Sequence, residues 1–455
     1  MRKVAVGALL GLAVFALLGG ASLSPEARRL AAVMACVVWW WMSESLPLPA
    51  AGLLASALCV VLEIGPAKKV MAPYADPIIF LFVGSFWLAE SMSVHGLDKR
   101  LAVGLLSLKP INASPLRLVL GLGALAAAIS LWVSNTATTA KLLPITLGIL
   151  RELPEGSRSP KLEANLLLML TFAASVGGLG TPVGTPPNLI GIGMLERLAG
   201  MHITFAGWCR MALPITGVTL VFLGFLLGRD LGHPKGWGQL REYLEREKQR
   251  LPKWSTGERN TATAFAVAVV LWLAAGEAIP EGISALLAAS LLFILPVDSE
   301  RATLTWKEAA RVDWGTIFLF GSGMSLGQLL FDTKLAESLG TAVVGALGLS
   351  SVSAIAGLSS AMALLTSELA SNTAAANVTV PVALALSQAA KVPPAFPALA
   401  ATMASSFGFL LPVSTAPNAL VYGTGKVPLR RMILYGFLLD LFGFFAVWLG
   451  LQAIY

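Results

Sequence analysis

Two uncharged trios, Ser134-Asn135-Thr136 and Ser371-Asn372-Thr373, sit inside apolar sequence. Each offers two hydroxyls and a carboxamide. Such groups donate hydrogen bonds to an anion's oxygens, and their own oxygens replace the water shell of a hard cation such as sodium. Taken singly, either trio reads equally well as a helix cap. Their recurrence argues for more. Ser134-Asn135-Thr136-Ala137, with Pro144 beyond it, returns as Ser371-Asn372-Thr373-Ala374, with Pro381 at the same spacing. Pro182-Val183-x-Thr185-x-Pro187-Asn188 returns as Pro412-Val413-x-Thr415-x-Pro417-Asn418, and Ile79-Phe80-Leu81-Phe82 returns as Ile317-Phe318-Leu319-Phe320. In chain order from 79 the offsets are 238, 237 and 230. Three motifs in one order at nearly one offset make an internal duplication.

The elements that must position these trios are membrane helices. Of the 455 residues, 56% are hydrophobic and 13% charged, and the mean hydropathy is +0.77. A soluble domain carries roughly 25% charged residues. The length accommodates about ten to twelve helical crossings. Apolar segments fall at about 4–21, 29–47, 49–66, 77–96, 163–195, 209–228, 261–276, 281–296, 315–331 and 432–454. Regions 114–150, 352–388 and 396–422 are apolar but interrupted by polar residues, and 229–260, with Pro234 and Pro252, reads as a charged loop holding at most a short surface helix. Arg2 and Lys3 before the first apolar run also suit a signal peptide, yet the topology works best with that segment retained. The net charge of +7 is spread over short loops rather than a stripe or tail, which argues against nucleic acid. Cys36, Cys59 and Cys209 lie in apolar runs, and His95, His202 and His233 are far apart, so neither disulfides nor a clustered metal site is expected.

Lysine and arginine placement sets the orientation. With the N-terminus cytoplasmic, and with 114–150 and 352–388 each entering and leaving on one side, 23 of 32 basic residues (Lys99, Lys109 and Arg158 among them) lie inside. Four spans then precede the first trio and nine the second, so the two hairpins enter from opposite faces and the repeat is inverted. Exposed backbone in hydrocarbon costs several kcal/mol per group, so broken helices survive where they line a cavity or ligand. Inverted repeats broken in corresponding places point to a transporter site near the midplane, where free helix N-termini meet anions and free carbonyls meet cations. An anion channel on the same repeats is the rival reading. An enzyme would want a catalytic cluster, and a sodium/proton antiporter an aspartate in the breaks; 177–190 and 404–420 contain neither Asp nor Glu. A molecule with a carboxylate at each end can satisfy two opposed trios, which a single tetrahedral sulfate can hardly do. Glu368, beside the second trio, can fix the hairpin, couple a cation or face the cavity. Lys141, beyond the first, can attract anions or pair with a carboxylate.

At these motifs the chain resembles the divalent anion:sodium symporter family, which carries dicarboxylates, citrate or sulfate. The residues concerned are Trp41-Met42-Ser43-Glu44-Ser45-Leu46-Pro47, the stretches 130–138 and 367–373 around the trios, and 405–421, which fits the family's C-terminal signature. The resemblance implies an all-α integral membrane fold with about eleven spans and two re-entrant hairpins, and a homodimer working by an elevator mechanism in the cytoplasmic (inner) membrane. Scaffold helices would occupy 1–110 and 261–345, transport elements 111–228 and 346–455, and a cytoplasmic loop 229–260. It also implies two or more sodium sites. One would involve Ser130, Ser134, Asn135 and backbone at Gly177 and Gly178; another Ser367, Ala370, Asn372 and Ser414. The small dianionic substrate would meet Ser134, Asn135, Thr136, Ser371, Asn372 and Thr373, with Thr185, Pro187, Thr415 and Pro417 nearby.

Overall fold

The computed structural model describes residues 2–152, 159–229, 231, 237–276 and 278–455; Arg158, His233 and Pro234 lie outside these. Among the described residues the chain is helical throughout, apart from one isolated bridge between Pro296 and Ala302. Six of these helices are long and apolar enough to cross a bilayer, from Arg2–Gly20 at one end of the chain to Leu429–Gln452 at the other, with shorter apolar helices between them.

The duplication recurs element by element. Pro77–Val94, Leu97–Leu106, Pro115–Ser130 and Asn135–Glu152 have counterparts in Trp314–Asp332, Leu335–Leu347, Val352–Leu369 and Asn372–Ala389. Pro160–Gly178, Pro186–Ala199 and Phe205–Leu227 match Ala395–Ala404, Ala416–Tyr422 and Leu429–Gln452. The residues entering Leu97–Leu106 and Leu335–Leu347, Gly96 and Lys334, both adopt left-handed backbone, with φ of 71° and 60°. Packing between the halves is reciprocal. Gly52 of Leu48–Val61 lies against Ser322, while Gly84 lies against Ala285 of Glu281–Ile294. Each contact takes one residue from either half, and in each a glycine lets two helices approach where a Cβ would overlap the neighbour.

The apolar segment 163–195 divides into Pro160–Gly178 and Pro186–Ala199. Gly177, Gly178, Gly180, Pro182, Gly184, Pro186 and Pro187 crowd the division, and such a run neither sustains the i→i−4 ladder nor fills a helical face. Hydropathy does not mark this break, because these residues are not polar; the repeated Pro182-Val183-x-Thr185-x-Pro187-Asn188 motif does. Pro160–Gly178 runs through the molecular interior, with every residue from Asn165 to Gly178 buried. The N-terminal helix Arg2–Leu17 packs on Pro25–Met42, where the Trp39 and Trp40 indoles donate to the carbonyls of Lys3 (2.9 Å) and Val4 (3.1 Å). Within the charged loop, Trp237–Gln249 forms an amphipathic helix that buries Leu240 and Leu244.

Candidate functional site

Each trio sits at the turn of a helical hairpin. The first hairpin is Pro115–Ser130 followed by Asn135–Glu152, and the second is Val352–Leu369 followed by Asn372–Ala389. The same internal bond closes both turns. Ser130 Oγ donates to Asn135 Oδ1 at 2.8 Å, and Ser367 Oγ donates to Asn372 Oδ1, also at 2.8 Å. The serine of each trio caps the outgoing helix: Ser134 Oγ accepts from the Ala137 amide at 3.3 Å and Ser371 Oγ from the Ala374 amide at 3.2 Å. Capping is therefore real, and it coexists with an arrangement a plain cap does not need. Asn135 is buried and Asn372 half-buried, whereas Ser134 and Thr136 are exposed and Thr373 is half-buried.

Both asparagines face a glycine in the opposing broken helix. A Cβ on Gly178 would lie 2.3 Å from Asn135 Oδ1 and 3.2 Å from the Gly184 carbonyl oxygen. One on Gly408 would lie 3.2 Å from the Ser367 carbonyl oxygen and 3.4 Å from Asn372 Oδ1. Asn372 Nδ2 donates to the Ser406 carbonyl at 3.2 Å, and the Ser367 hydroxyl, whose one proton serves both acceptors, also lies 2.7 Å from the Ser405 carbonyl. Neutral oxygens thus gather around two glycine-faced breaks. This donor set suits a hard monovalent cation; a transition metal would want the imidazole, thiolate or carboxylate groupings that do not occur among the described residues.

A second pair of asparagines holds the breaks open. Asn188 Nδ2 donates to the carbonyls of Gly178 (2.9 Å), Leu179 (3.4 Å) and Thr181 (2.7 Å), and Asn418 Nδ2 to those of Gly408 and Leu411, both at 3.2 Å. These bonds replace the helical partners that the glycines and prolines remove. Thr185 and Thr415 are the N-caps of Pro186–Ala199 and Ala416–Tyr422, and Pro187 and Pro417 are buried inside those helices' first turns.

Not every expected residue joins the oxygen cluster. Gly177 faces the backbone of Ala127, where it permits close packing of the hairpin arm, and its carbonyl accepts from the Gly180 amide at 3.0 Å. Ser414 Oγ donates to the Glu368 carboxylate at 2.7 Å and to the Glu368 carbonyl at 3.1 Å. Ala370 is a buried, extended residue ending Val352–Leu369. Glu368 also accepts from the Leu410 amide at 3.0 Å, so its carboxylate ties the second hairpin to the second break. The neighbouring Phe409 amide donates to Asp440 at 3.3 Å. Lys141 forms an ion pair with Asp98 at 2.7 Å. Gly184, Ser405, Ser406 and Gly408 were not anticipated as site residues. The 230-residue offset that relates the breaks maps Gly178 onto Gly408 and Gly184 onto Ser414, so the repeat itself contained the signal.

A cavity of about 220 Å³ reaches the first hairpin's turn, lined there by Ser134, Ala137 and Gly184 and opposite by Ser85, Phe86 and Glu90 of Pro77–Val94. Paired hairpins and paired broken helices, duplicated within a helical membrane protein, define a transporter of small solutes. The match to the model for the sodium:sulfate symporter transmembrane region runs over residues 3–455, and the chain belongs to that family. It is 31% identical over 436 residues to the sodium-dependent dicarboxylate transporter SdcS of Staphylococcus aureus strain USA300, covering 90% of this chain and 83% of the relative. The same figures hold for the SdcS of strain NCTC 8325. Among solved structures, the Alcanivorax borkumensis YdaH transporter, described as having an unusual topology, shares the fold at a TM-score of 0.58 and 14% identity, covering 99% of this chain and 97% of that one.

Proposed function

We propose that this protein is a sodium-coupled carrier of C4 dicarboxylates of the succinate, malate and fumarate class. The observation that carries the reading is the matched pair of hairpin turns. Each presents a Ser–Asn pair, bonded at 2.8 Å, to a glycine-faced break in the other helical element of its half. Two such turns offer one donor set to each end of a molecule with two carboxylates. A tetrahedral sulfate, the solute in the family's description, satisfies both turns less readily. No arginine stands in either trio, so at the turns themselves attraction for the dianion comes from helix N-termini and from sodium bound beside it. The SdcS relatives, named as sodium-dependent dicarboxylate transporters, support the same choice.

In this reading one sodium is held by Ser130, Asn135 and carbonyls around Gly178 and Gly184, with Ser134 at its edge, and another by Ser367, Asn372 and carbonyls of residues 405–408 near Ala370. The substrate meets Asn135, Thr136, Asn372 and Thr373, with Thr185 and Thr415 close by. The hairpins are re-entrant and enter from opposite faces of the inner membrane, with the N-terminus in the cytoplasm and about eleven spans in all. Residues 111–228 and 346–455 move as the transport part against scaffold helices of 1–110 and 261–345, and the scaffold holds a homodimer. Sodium bound next to the dianion couples the two affinities, so each tightens the other by one factor.

The test is uptake by the purified protein in liposomes, with succinate, citrate and sulfate each offered in sodium and in choline. Succinate accumulation that requires sodium supports the proposal. Equal succinate affinity in both salts removes sodium coupling and points to an exchanger. Preference for sulfate over succinate removes the dicarboxylate assignment.

A further inference from the structure

The two halves differ where each hairpin meets its connecting helix. In the first half, Lys141 lies two turns along the arm that begins with Asn135, and Asp98 lies in the first turn of the connector Leu97–Leu106. Their charged atoms are 2.7 Å apart, with side chains 28% and 10% exposed. The same turn of the connector is fixed on its other side. Arg100 makes a two-pronged ion pair with Glu258, at 2.5 and 3.1 Å, and donates to the Pro252 carbonyl at 2.7 Å. Glu258 closes the capping box of Thr256–Ala274. Asp98 therefore joins the hairpin to a connector that is itself bolted to a different helix.

The repeat supplies an internal control. The 238-residue offset places Ala336 where Asp98 stands, and the 237-residue offset places Val378 where Lys141 stands. Ala336 is buried in the apolar cluster against which Val378 packs. The same two positions thus hold an ion pair in one half and apolar residues of one cluster in the other. An apolar contact survives sliding, because dispersion is short-ranged and non-directional. An ion pair held by a largely buried carboxylate does not, since separation leaves Asp98 desolvated without its partner.

We infer that Lys141 and Asp98 are positioning residues that latch the first hairpin in the conformation seen here and bias the carrier toward this one of its two end states. This rests on the proposed movement of the hairpins against a scaffold. The bias is one-sided because the second half has no counterpart charge pair. Lys141 also lines the cavity that reaches Ser134, so hairpin movement that breaks the pair alters that cavity as well.

The experiment reads hairpin position without relying on transport. Ala89, which lines the cavity, is changed to cysteine in full-length protein whose Cys36, Cys59 and Cys209 are replaced by alanine. Maleimide labelling is then timed in membrane vesicles. Asp98→Asn and Lys141→Met are each expected to slow labelling roughly threefold to tenfold as the population leaves the cavity-open state. The exchange Asp98→Lys with Lys141→Asp is expected to restore the rate. Rates unchanged in both single variants overturn the latch, and so does a slowing that the exchange leaves in place, because that is the signature of local damage. Folding is followed by gel filtration of every variant. Should the unmodified protein carry no dicarboxylate, the proposed substrate falls while the labelling rates still decide the latch.

Discussion

At the residue scale the two glycines facing the hairpin turns are not equivalent, and the difference makes a prediction. A methyl group on Gly178 would overlap Asn135 Oδ1 at 2.3 Å, whereas on Gly408 the nearest atoms stand at 3.2 to 3.4 Å. Gly178→Ala is expected to reduce sodium-driven uptake by about two orders of magnitude, and Gly408→Ala by about threefold, since its contacts are tight without overlap and the neighbours need give by only a few tenths of an ångström. Initial uptake rates in liposomes over a sodium titration check both; equal losses would mean that the two turns tolerate strain alike. Asn135→Ala and Asn372→Ala are each expected to abolish uptake while the protein still inserts, because each removes the oxygen around which its turn is built. Near-normal uptake in either would reduce that turn to a cap. The asparagines were legible in the sequence because their trios repeat. Asp98 was not: a lone acidic residue near a segment end looks like any loop charge until the fold sets it against Lys141.

At the element scale the broken helices depend on Asn188 and Asn418, whose amides gather the carbonyls that the breaks release. Asn188→Ala leaves buried carbonyls without donors and is expected to destabilise the protein by about 2–4 kcal/mol. Asn418→Ala is expected to cost at least as much, because Asn418 Oδ1 additionally accepts from Thr171 at 3.1 Å while Asn188 Oδ1 has no partner. Thermal unfolding in detergent, followed by tryptophan fluorescence, orders the two; an Asn188 variant that unfolds with the unmodified midpoint would show that the break supports itself. The hairpins, the surface helix in the charged loop and most segment positions followed from hydropathy and from polar interruptions. The division of 163–195 left no mark in hydropathy, because glycine and proline interrupt a helix without lowering its apolar character, and it was legible instead in the repeated Pro182-Val183-x-Thr185-x-Pro187-Asn188 motif. The small-residue contacts of Gly52 and Gly84 were hidden, since a glycine in an apolar run carries no mark of the helix it will face.

At the scale of the whole molecule, the repeat is expected to run in opposite directions through the membrane, and this has a consequence that no local contact supplies. The contact of Gly52 with Ser322 is mirrored by that of Ala285 with Gly84, which is the packing an axis exchanging the halves would produce. If that axis lies in the membrane plane, the first hairpin's ends emerge on one face and the second's on the other. Lys109, exposed shortly before Pro115–Ser130, and Lys391, exposed just after Asn372–Ala389, mark those ends. Lys109→Cys is expected to react with a membrane-impermeant maleimide only from the cytoplasmic face, and Lys391→Cys only from outside, in intact cells compared with inverted vesicles. Lysine at 391 already adopts a left-handed φ of 56°, so cysteine there adds no new backbone strain. The placement of basic residues predicts the same sides independently of the axis. Labelling of both positions from one face would place the axis along the membrane normal. The hairpins would then enter together, and the two trios could not approach a dianion from opposite sides.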